Sequence, residues 1–456
     1  MPDTERVPRL FGTNGVRGIV NSKDMDCQFA LRLGLAIGTF MKGNVMIGTD
    51  ARTSNEMLKS ACASGLMAAG CQVQDLGVVP TPTLQYATKM GKVEGGVMIT
   101  ASHNPPEFNG IKCIDSDGTE MSREDEEKIE TIYHRQEFSR ADWTHVGRVS
   151  PDTTSVERYI RGILLKVEAV RIRRAGLRVA VDCGNGAASH VTPKLLARLG
   201  VKFVTLNADP NGAFPGHNSE PTPQNTKDLT ELVRSGGFDF GVIHDGDADR
   251  SIFVDETGRY LHGDRSLAIV ARHVCMQKWG RLIVTNVASS KCVEDAVNSA
   301  GGSIMFTRVG SPIIARAMME NGGVFGGEEN GGLIFADFQY CRDGAMAVAK
   351  MLEIVATEGK LSALNDAIPA YSQYKTKTAC PDSKKQRVLA ELAASARGER
   401  VDTTDGVKIY QKDGWVLVRP SGTEPIFRIF TESTSPRRSE ELAETYKKRV
   451  EQLVRK

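Results

Sequence analysis

The chain has 456 residues, of which 40% are hydrophobic and 25% charged, and its net charge is +2. This length predicts roughly three or four domains, each able to bury a core. The nearly neutral charge, without a long basic run, excludes the electrostatic footprint of a nucleic-acid-binding protein. No apolar stretch reaches about 18 residues, so we expect neither a transmembrane segment nor a membrane partner.

Cysteine usage predicts the compartment. The nine cysteines include no Cys-x-x-Cys pair, and the chain begins without the apolar segment of a secretory signal. An odd number of thiols in a chain of ordinary composition is typical of a reducing environment. We therefore expect a soluble, cytoplasmic protein.

Short β-rich segments that end in glycine or aspartate alternate with helical segments, which is the pattern of an α/β fold. The predicted strands lie at residues 45–49, 95–99, 177–182, 238–243, 281–285 and 303–307. A helix is predicted over residues 54–69, with Ser54 as its N-cap and Gly70 just past its end. A second helix should follow the glycine turn at 184–186 and run through Leu199.

Polar or turn-forming segments near residues 150, 255 and 369 divide the chain. They predict domains at residues 1–150, 151–255, 256–369 and 370–456, the last being rich in strands and then helical. In α/β sheets, ligands bind at loops that follow the carboxyl ends of parallel strands.

The first candidate site is Thr-Ala-Ser-His-Asn-Pro at residues 100–105, directly after a predicted strand. Two consecutive prolines, Pro105 and Pro106, force the chain out of regular structure into a stiff loop. On such a loop Ser102, next to the imidazole of His103, can accept and release a covalently bound group. A Ser-His pair alone would more often belong to an ordinary capped turn.

The second candidate site is Asp-Gly-Asp-Ala-Asp-Arg at residues 245–250. Its alternating carboxylates, Asp245, Asp247 and Asp249, can converge on Mg²⁺ or Ca²⁺, and Arg250 offers a cation beside a phosphate. A calcium EF-hand is rejected because Arg250 occupies the place of its required glycine and a strand precedes the loop. A solvated acidic turn is the other alternative. Together, the serine and the metal loop favour phosphoryl transfer.

Two further loops predict substrate contacts. The loop at residues 419–425 combines hydroxyls, glycine and arginine into a cradle for a non-reacting phosphate, although a surface turn would look similar. Its candidate residues are Arg419, Ser421, Gly422 and Thr423, with Arg428 as a second cation. The loop at residues 326–332 contains Glu328 and Asn330, which suit sugar hydroxyls unless the loop is merely solvated. No Walker A loop or Gly-x-Gly-x-x-Gly motif supports a nucleotide donor.

These motifs, with a glycine- and arginine-containing segment at residues 11–18, resemble those of the α-D-phosphohexomutase family in order and spacing. Members of this family move phosphate between C1 and C6 of a hexose. The resemblance extends over nearly the whole chain. It implies four domains around a central cleft: three mixed α/β sheets with helices on both faces, and a smaller α+β fourth domain.

The resemblance also implies roles for individual residues. Ser102 would carry a phosphoryl group, and Mg²⁺ would be held by the three aspartates and an oxygen of the Ser102 phosphate. His103, Lys112, Arg17 and Arg250 would surround that phosphate. A hexose 1,6-bisphosphate would be the bound intermediate and activator, and a hexose or hexosamine phosphate the substrate.

The sugar loop departs from a common family pattern. Many members have Ser-Gly-His where this chain has Asn330, Gly331 and Gly332, so the role of that histidine has no counterpart at Gly332. Residues 328–335 look like the archaeal phosphoglucosamine mutase branch, which makes glucosamine phosphate the first expectation and mannose or glucose phosphate the alternatives.

Two interpretations from other functional classes remain open on the sequence alone. One is a sugar- or calcium-binding protein without catalytic activity. The other is a magnesium phosphatase with Asp245 or Asp247 as its nucleophile. The sequence leaves open whether the protein is a monomer or a homodimer.

Overall fold

The structure, a computed structural model, describes residues 9–12, 14–277, 279–396, 398–422 and 424–456. The chain folds into two compact units, one formed by Met1–Ser266 with Asn330–Asn365 and the other by Leu267–Glu329 with Asp366–Lys456. Within the described residues, no helix is both long and apolar enough to cross a bilayer.

The first unit begins with a six-stranded mixed sheet, in the order β1-β5-β4-β2-β3-β6. Its elements are β1 (Val16–Ile19), α1 (Cys27–Met41), β2 (Asn44–Thr49), α2 (Asn55–Ala68), β3 (Gln72–Val78), α3 (Thr81–Gly91), β4 (Gly95–Ile99), β5 (Phe108–Asp115), α4 (Arg123–Arg135) and β6 (Val149–Pro151). β2 runs parallel to β3 and β4, whereas β5 is antiparallel to β1 and β4. All five residues of β4 are buried, as expected for a central strand.

The helix predicted over residues 54–69 is α2. Ser54 is at its N-cap position but makes no capping hydrogen bond, because its backbone is helical rather than extended; its hydroxyl accepts a hydrogen bond from Asn109 at 2.8 Å. Gly70 has φ of +95°, which is the left-handed conformation expected of a glycine just past a helix end.

A second sheet of the first unit has the order β11-β10-β9-β7-β8. The elements of this part are α5 (Ser155–Leu164), α6 (Ala169–Ala175), β7 (Arg178–Asp182), a 3₁₀ helix (Ala187–His190), α7 (Thr192–Leu199), β8 (Lys202–Leu206), α8 (Lys227–Gly236), β9 (Phe240–His244), β10 (Ser251–Asp255) and β11 (Tyr260–Leu261). β7 pairs in parallel with β8 and β9, and β10 returns antiparallel to β9.

The helix expected to run through Leu199 is broken. A 3₁₀ turn ends at His190, and α7 begins anew at Thr192 with a proline, Pro193, in its first turn. Proline is favoured at a helix start and cannot donate the hydrogen bond that a continuous helix would need there.

The next elements are α9 (Gly263–Gln277), β12 (Leu282–Asn286), α10 (Lys291–Ser299), β13 (Ser303–Thr307), α11 (Ser311–Asn321), β14 (Phe325–Gly327), β15 (Leu333–Phe335), β16 (Gln339–Arg342), α12 (Gly344–Glu358) and α13 (Leu361–Asp366). In the second unit, β12 runs parallel to β13 and β14. In the first unit, β15 and β16 form an antiparallel pair that leads into the largely buried α12.

The remainder of the second unit is an antiparallel sheet in the order β17-β21-β20-β19-β18. Its elements are β17 (Ser372–Ala379), α14 (Asp382–Ser395), β18 (Arg400–Asp402), β19 (Val407–Gln411), β20 (Gly414–Pro420), β21 (Ile426–Ser433) and α15 (Pro436–Arg455). Apolar side chains of α14 and α15 pack with those of the sheet in one core. The terminal helix matches the sequence expectation, and α14 interrupts the strands that were expected to precede it.

Candidate functional site

Ser102 lies in the loop that follows the carboxyl end of β4. The residue is buried and has φ of 51°, a left-handed conformation that is uncommon for a residue other than glycine. Its backbone N–H donates to the hydroxyl of Thr100 at 2.8 Å, and that hydroxyl donates to a carboxylate oxygen of Asp50 at 2.5 Å. These bonds hold the unusual backbone in place.

The side chain of Arg52 stabilises the same loop through hydrogen bonds to its backbone. It is almost completely buried, and its Nε lies 3.2 Å from Asp50 Oδ2. Its two terminal nitrogens donate, at 2.6 to 2.8 Å, to the backbone carbonyls of Ser102, Asn104, Pro105 and Phe108. One guanidinium therefore donates to four backbone carbonyls at the end of the serine loop and the start of β5.

The aspartate loop connects β9 to β10. Asp245, Asp247 and Asp249 are all buried, and one carboxylate oxygen from each lies within 4.8 Å of the other two. Ala248 adopts φ of 56°, and Asp245 Oδ1 accepts a hydrogen bond from the backbone N–H of Arg250 at 3.2 Å. The wrapped backbone turns the three alternating carboxylates toward one point.

The serine loop and the aspartate loop touch each other. The Ser102 hydroxyl donates to Asp245 Oδ2 at 2.8 Å. A Cβ atom at Gly246 would lie only 2.6 Å from the Ser102 carbonyl oxygen, so glycine is needed for the two backbones to approach this closely. The backbone of Thr81, at the start of α3, donates to the Asp247 carbonyl at 3.0 Å.

The three aspartates fit a divalent cation. Asp247 Oδ1 and Asp249 Oδ1 are buried and accept no hydrogen bond from any described residue, which is costly unless an ion takes that place. Burial, and then the charges of Asp249 and Asp247, raise the pKa of Asp245 well above its usual range. A bound cation would reverse this effect, and hard carboxylate oxygens suit Mg²⁺.

The other oxygen of Asp247 is occupied. It accepts hydrogen bonds from the Thr81 hydroxyl at 2.6 Å and from the Lys112 ammonium at 2.7 Å. Burial would raise the pKa of Asp247, but the charge and hydrogen bond of Lys112 lower it overall. Lys112, on β5, is itself buried and lies 3.6 Å from Asp249. This lysine therefore belongs to the aspartate cluster.

Two arginine side chains contact the serine loop and the aspartate loop. Arg250 Nε lies 3.9 Å from Asp245 and 3.8 Å from Asp249, and Arg17 donates to Asn104 Oδ1 at 2.6 Å. Desolvation lowers the pKa of Arg17, and repulsion from Arg250 contributes to the lowering. Cations placed this close to one another indicate a place for an anion.

His103 Nδ1 lies 3.3 Å from the Ser102 hydroxyl oxygen. Burial, followed by repulsion from Arg250 and Arg17, lowers the pKa of His103 to about 2. The imidazole is therefore neutral at physiological pH and is a weak base. It can share a hydrogen bond with the serine hydroxyl without carrying a charge.

The sequence reasoning missed three side chains of this cluster: Arg52, Thr81 and Arg342. Arg342, the last residue of β16, lies 2.5 Å from Asp249 Oδ2 and 3.8 Å from Glu120. The sequence signal that could have marked Arg342 as a functional residue is weak. It is a single charged residue between a buried strand and a buried helix.

The two residues predicted to contact the sugar belong to different units of the structure. Asn330 lies in the first unit and accepts a hydrogen bond from the Gly332 N–H at 3.1 Å. Glu328, in the second unit, is buried and lies 3.4 Å from the side-chain amide of Asn286. The neighbouring Glu329 lies 3.4 Å from the Lys375 ammonium.

The predicted phosphate loop, between β20 and β21, is fixed from two sides. Lys385, which the sequence reasoning missed, is buried and donates to the carbonyls of Ser421 at 2.7 Å and Glu424 at 2.8 Å. Arg419 Nε donates to Asp405 Oδ2 at 3.0 Å.

Gly422 and Arg428 are both exposed. A Cβ atom at Gly422 would have no neighbour within 4 Å, and Arg428 pairs with Glu424 at 3.4 Å. Thr423, also predicted for this loop, lies outside the described residues, as does Thr13 of the N-terminal motif.

Family models match the chain in four successive segments. They describe the phosphoglucomutase/phosphomannomutase alpha/beta/alpha domain I at residues 8–140, domain II at 157–258, domain III at 262–371 and the C-terminal domain at 376–448. The α/β fold class with a smaller fourth domain, expected from the sequence, is confirmed.

Relatives match over nearly their full length. A phosphoglucomutase/phosphomannomutase of Thermococcus kodakarensis is 45% identical, over 98% of this chain and 99% of its own. A protein of Methanopyrus kandleri named "Probable phosphoglucosamine mutase" is 42% identical, over 96% and 97%. The crystal structure of a phosphoglucomutase/phosphomannomutase family protein from Burkholderia thailandensis superimposes with a TM-score of 0.87 at 27% identity, covering 97% of each chain.

The brace under the serine loop generates a stability prediction. Replacing Arg52 with methionine leaves the buried Asp50 carboxylate without its cationic partner and removes one hydrogen-bond donor from each of four carbonyls. We expect the free energy of unfolding, measured by urea denaturation, to fall by about 3–5 kcal/mol. Arg158→Met, which removes a half-exposed arginine 3.0 Å from Asp152, should cost less than about 1 kcal/mol. Equal losses for the two variants would contradict the bracing role.

Proposed function

The chain belongs to the phosphoglucomutase/phosphomannomutase family, and we propose that it is a phosphoglucosamine mutase, which interconverts glucosamine 6-phosphate and glucosamine 1-phosphate. It is thus an isomerase that acts by intramolecular phosphoryl transfer. The observation that carries this proposal is the hydrogen bond from the Ser102 hydroxyl to Asp245, which puts a nucleophile beside three carboxylates suited to a metal ion.

We propose that Ser102 is phosphorylated in the active enzyme. Its phosphoryl group passes to the free hydroxyl of a hexose monophosphate: the bond from phosphorus to the sugar oxygen forms and the bond to the serine oxygen breaks. The sugar hydroxyl gives up its proton, and the departing serine oxygen takes up a proton to become a hydroxyl again. The product is a bound 1,6-bisphosphate. Transfer of its other phosphoryl group to Ser102 then completes the isomerisation and regenerates the phosphoenzyme.

The chain's own side chains stabilise the charge of the moving group. Lys112, Arg17 and Arg250 neutralise phosphoryl oxygens, which is most of what catalyses phosphoryl transfer. His103, with Nδ1 3.3 Å from the serine oxygen, orients that oxygen. When bound by Asp245, Asp247, Asp249 and a phosphate oxygen, Mg²⁺ supplies further charge neutralisation.

We assign the non-reacting phosphate to the loop after β20. Its ligands in this proposal are Arg419, Ser421, Gly422, Thr423 and Arg428. The Lys385 hydrogen bonds and the Asp405 contact support the assignment, because they hold the loop in one shape before substrate arrives. Glu328 and Asn330 are assigned to the sugar itself, since carboxylate and amide groups suit hydroxyl or ammonium substituents.

The identity of the sugar rests on weaker support than the reaction. Residues 328–335 resemble the archaeal phosphoglucosamine mutase branch, and the Methanopyrus relative carries that name. The Thermococcus relative, at 45% identity, carries the name phosphoglucomutase/phosphomannomutase, which favours glucose or mannose phosphate as the second candidate.

The remaining assignments are also proposals. We place the domain boundaries at residues 1–150, 151–255, 256–369 and 370–456. We assign the protein to the cytoplasm, because its nine cysteines are all free thiols and eight of them are buried.

Replacing Ser102 with alanine tests the reaction. We expect mutase turnover to fall by at least about 1,000-fold, since the group that carries the phosphoryl is gone. Mass spectrometry of the wild-type protein should find a phosphoryl group on the Ser102 peptide. Ser116→Ala, at an exposed serine in the turn that follows β5, should change neither property.

Retention of near wild-type turnover by Ser102→Ala, with an unchanged melting temperature, would refute the phosphoserine mechanism. A phosphoryl group trapped on Asp245 or Asp247 would instead indicate a phosphatase. Absence of both phosphorylation and turnover in the wild type would indicate a non-catalytic sugar- or calcium-binding protein.

Comparison of three substrates tests the sugar assignment. We expect kcat/KM, measured with Mg²⁺ and a catalytic amount of hexose bisphosphate, to be highest for glucosamine phosphate. The expected cause is pairing of the substrate's C2 ammonium with a carboxylate of the sugar loop. A higher value for mannose or glucose phosphate would reassign the substrate and leave the phosphoryl-transfer mechanism intact.

A further inference from the structure

The side chain of Arg342 leaves no room for a side chain at Gly332. The backbone of Gly332 does not have the positive φ that favours glycine, unlike the adjacent Gly331 with φ of +88°. A Cβ atom at Gly332 would, however, lie 2.2 Å from Arg342 Cδ and 2.9 Å from Arg342 Cγ. Any side chain at position 332 would therefore occupy the space that the stem of Arg342 fills.

The backbone around Arg342 leaves it little freedom to move away. Arg342 pairs with Ile334 across β15 and β16, and the next residue, Asp343, caps α12 by accepting a hydrogen bond from the Met346 N–H at 2.9 Å. Asp343 also accepts one from the Tyr159 hydroxyl at 2.5 Å. The guanidinium itself is 2.5 Å from Asp249, so both ends of the side chain are fixed.

With a divalent ion bound to the aspartates, the charges around Arg342 favour an anion. Lys112, Arg17, Arg250 and Arg342 face the three aspartates and Glu120, which is an even balance of four cations and four carboxylates. A divalent ion on the aspartates would leave two positive charges in excess. A phosphate dianion neutralises this excess, and a guanidinium is the side chain that best matches its oxygens.

We propose that Arg342 is a further catalytic residue, whose guanidinium binds an oxygen of the phosphoryl group in transit between Ser102 and the sugar, and that Gly332 is present to admit it. This inference rests on the proposed phosphoryl transfer. At Gly332 the sugar loop departs from the Ser-Gly-His pattern, and in this proposal the side chain of Arg342 fills the space that the histidine would need.

Ligand binding to the Ser102→Ala variant with bound Mg²⁺ separates this role from a merely structural one. A 1,6-bisphosphate puts a phosphate beside Arg342 in either orientation, whereas a monophosphate can use the other phosphate loop alone. Adding Arg342→Gln should weaken binding of glucose 1,6-bisphosphate, measured by calorimetry, at least about 10-fold. Binding of glucosamine 6-phosphate should weaken less than about 3-fold.

Two controls accompany this measurement. Mn²⁺ affinity, measured by electron paramagnetic resonance, should change less than about 3-fold in Arg342→Gln. This change is smaller than the loss of metal affinity expected when a residue that orients a metal ligand is removed. Arg158→Gln, at the half-exposed surface pair, should leave both ligand affinities unchanged. Equal weakening of bisphosphate and monophosphate, or a change confined to Mn²⁺ affinity, would overturn the proposal.

An exchange of side chains tests the spatial relation. Gly332→His alone should impair bisphosphate binding, because the imidazole collides with Arg342. The double variant Gly332→His/Arg342→Gly should bind the bisphosphate more tightly than Gly332→His alone and more tightly than Arg342→Gly alone. A double variant no better than the worse single one would refute the exchange. Lack of mutase activity in the wild type would refute the proposed function, while the bisphosphate measurement would still decide the role of Arg342.

Discussion

The contact between the serine loop and the aspartate loop is the constraint on which the rest of the site depends. Ser102 comes from one sheet and Asp245 from another, and they meet at 2.8 Å. The contact requires a left-handed serine, a left-handed Ala248 and a glycine between the first two aspartates. Backbone conformations of this kind persist only where surrounding structure holds them, and Arg52 supplies much of that support.

Buried charge explains why the site is poised for an anion. Removing carboxylates and guanidiniums from water costs free energy, which neighbouring opposite charges offset. In this site the carboxylates are partly neutralised by Lys112 and Arg342, and two of their oxygens still accept no hydrogen bond within the described part of the chain. The free enzyme is therefore less favourable electrostatically than the complex with metal and phosphate. Such preorganised charge is what phosphoryl transfer uses.

The sequence predicted the α/β fold, the six strands named from it and the two central loops, because these depend on local patterns. The strand before Ser102, the aspartate spacing and the glycine after α2 are all local signals. Contacts between segments that are distant in the sequence could not be predicted from local patterns. Thr81 contacts Asp247, which is 166 residues away in the sequence, and Arg342 contacts Asp249, which is 93 residues away. Nothing in the residues around Arg52 or Lys385 indicates which carbonyls they will meet. The break at Pro193 was readable in principle and was missed.

Phosphorus NMR of the phosphorylated enzyme tests the central claim most directly. If phosphoserine 102 shares a metal site with Asp245, Asp247 and Asp249, replacing Mg²⁺ with one equivalent of paramagnetic Mn²⁺ should broaden its resonance beyond detection. Substituting Asp247 with asparagine should move this broadening to higher Mn²⁺ concentration. A phosphoserine resonance that keeps its width at saturating Mn²⁺ would show that the serine and the metal ion act at separate places, which contradicts a shared site for phosphoryl transfer.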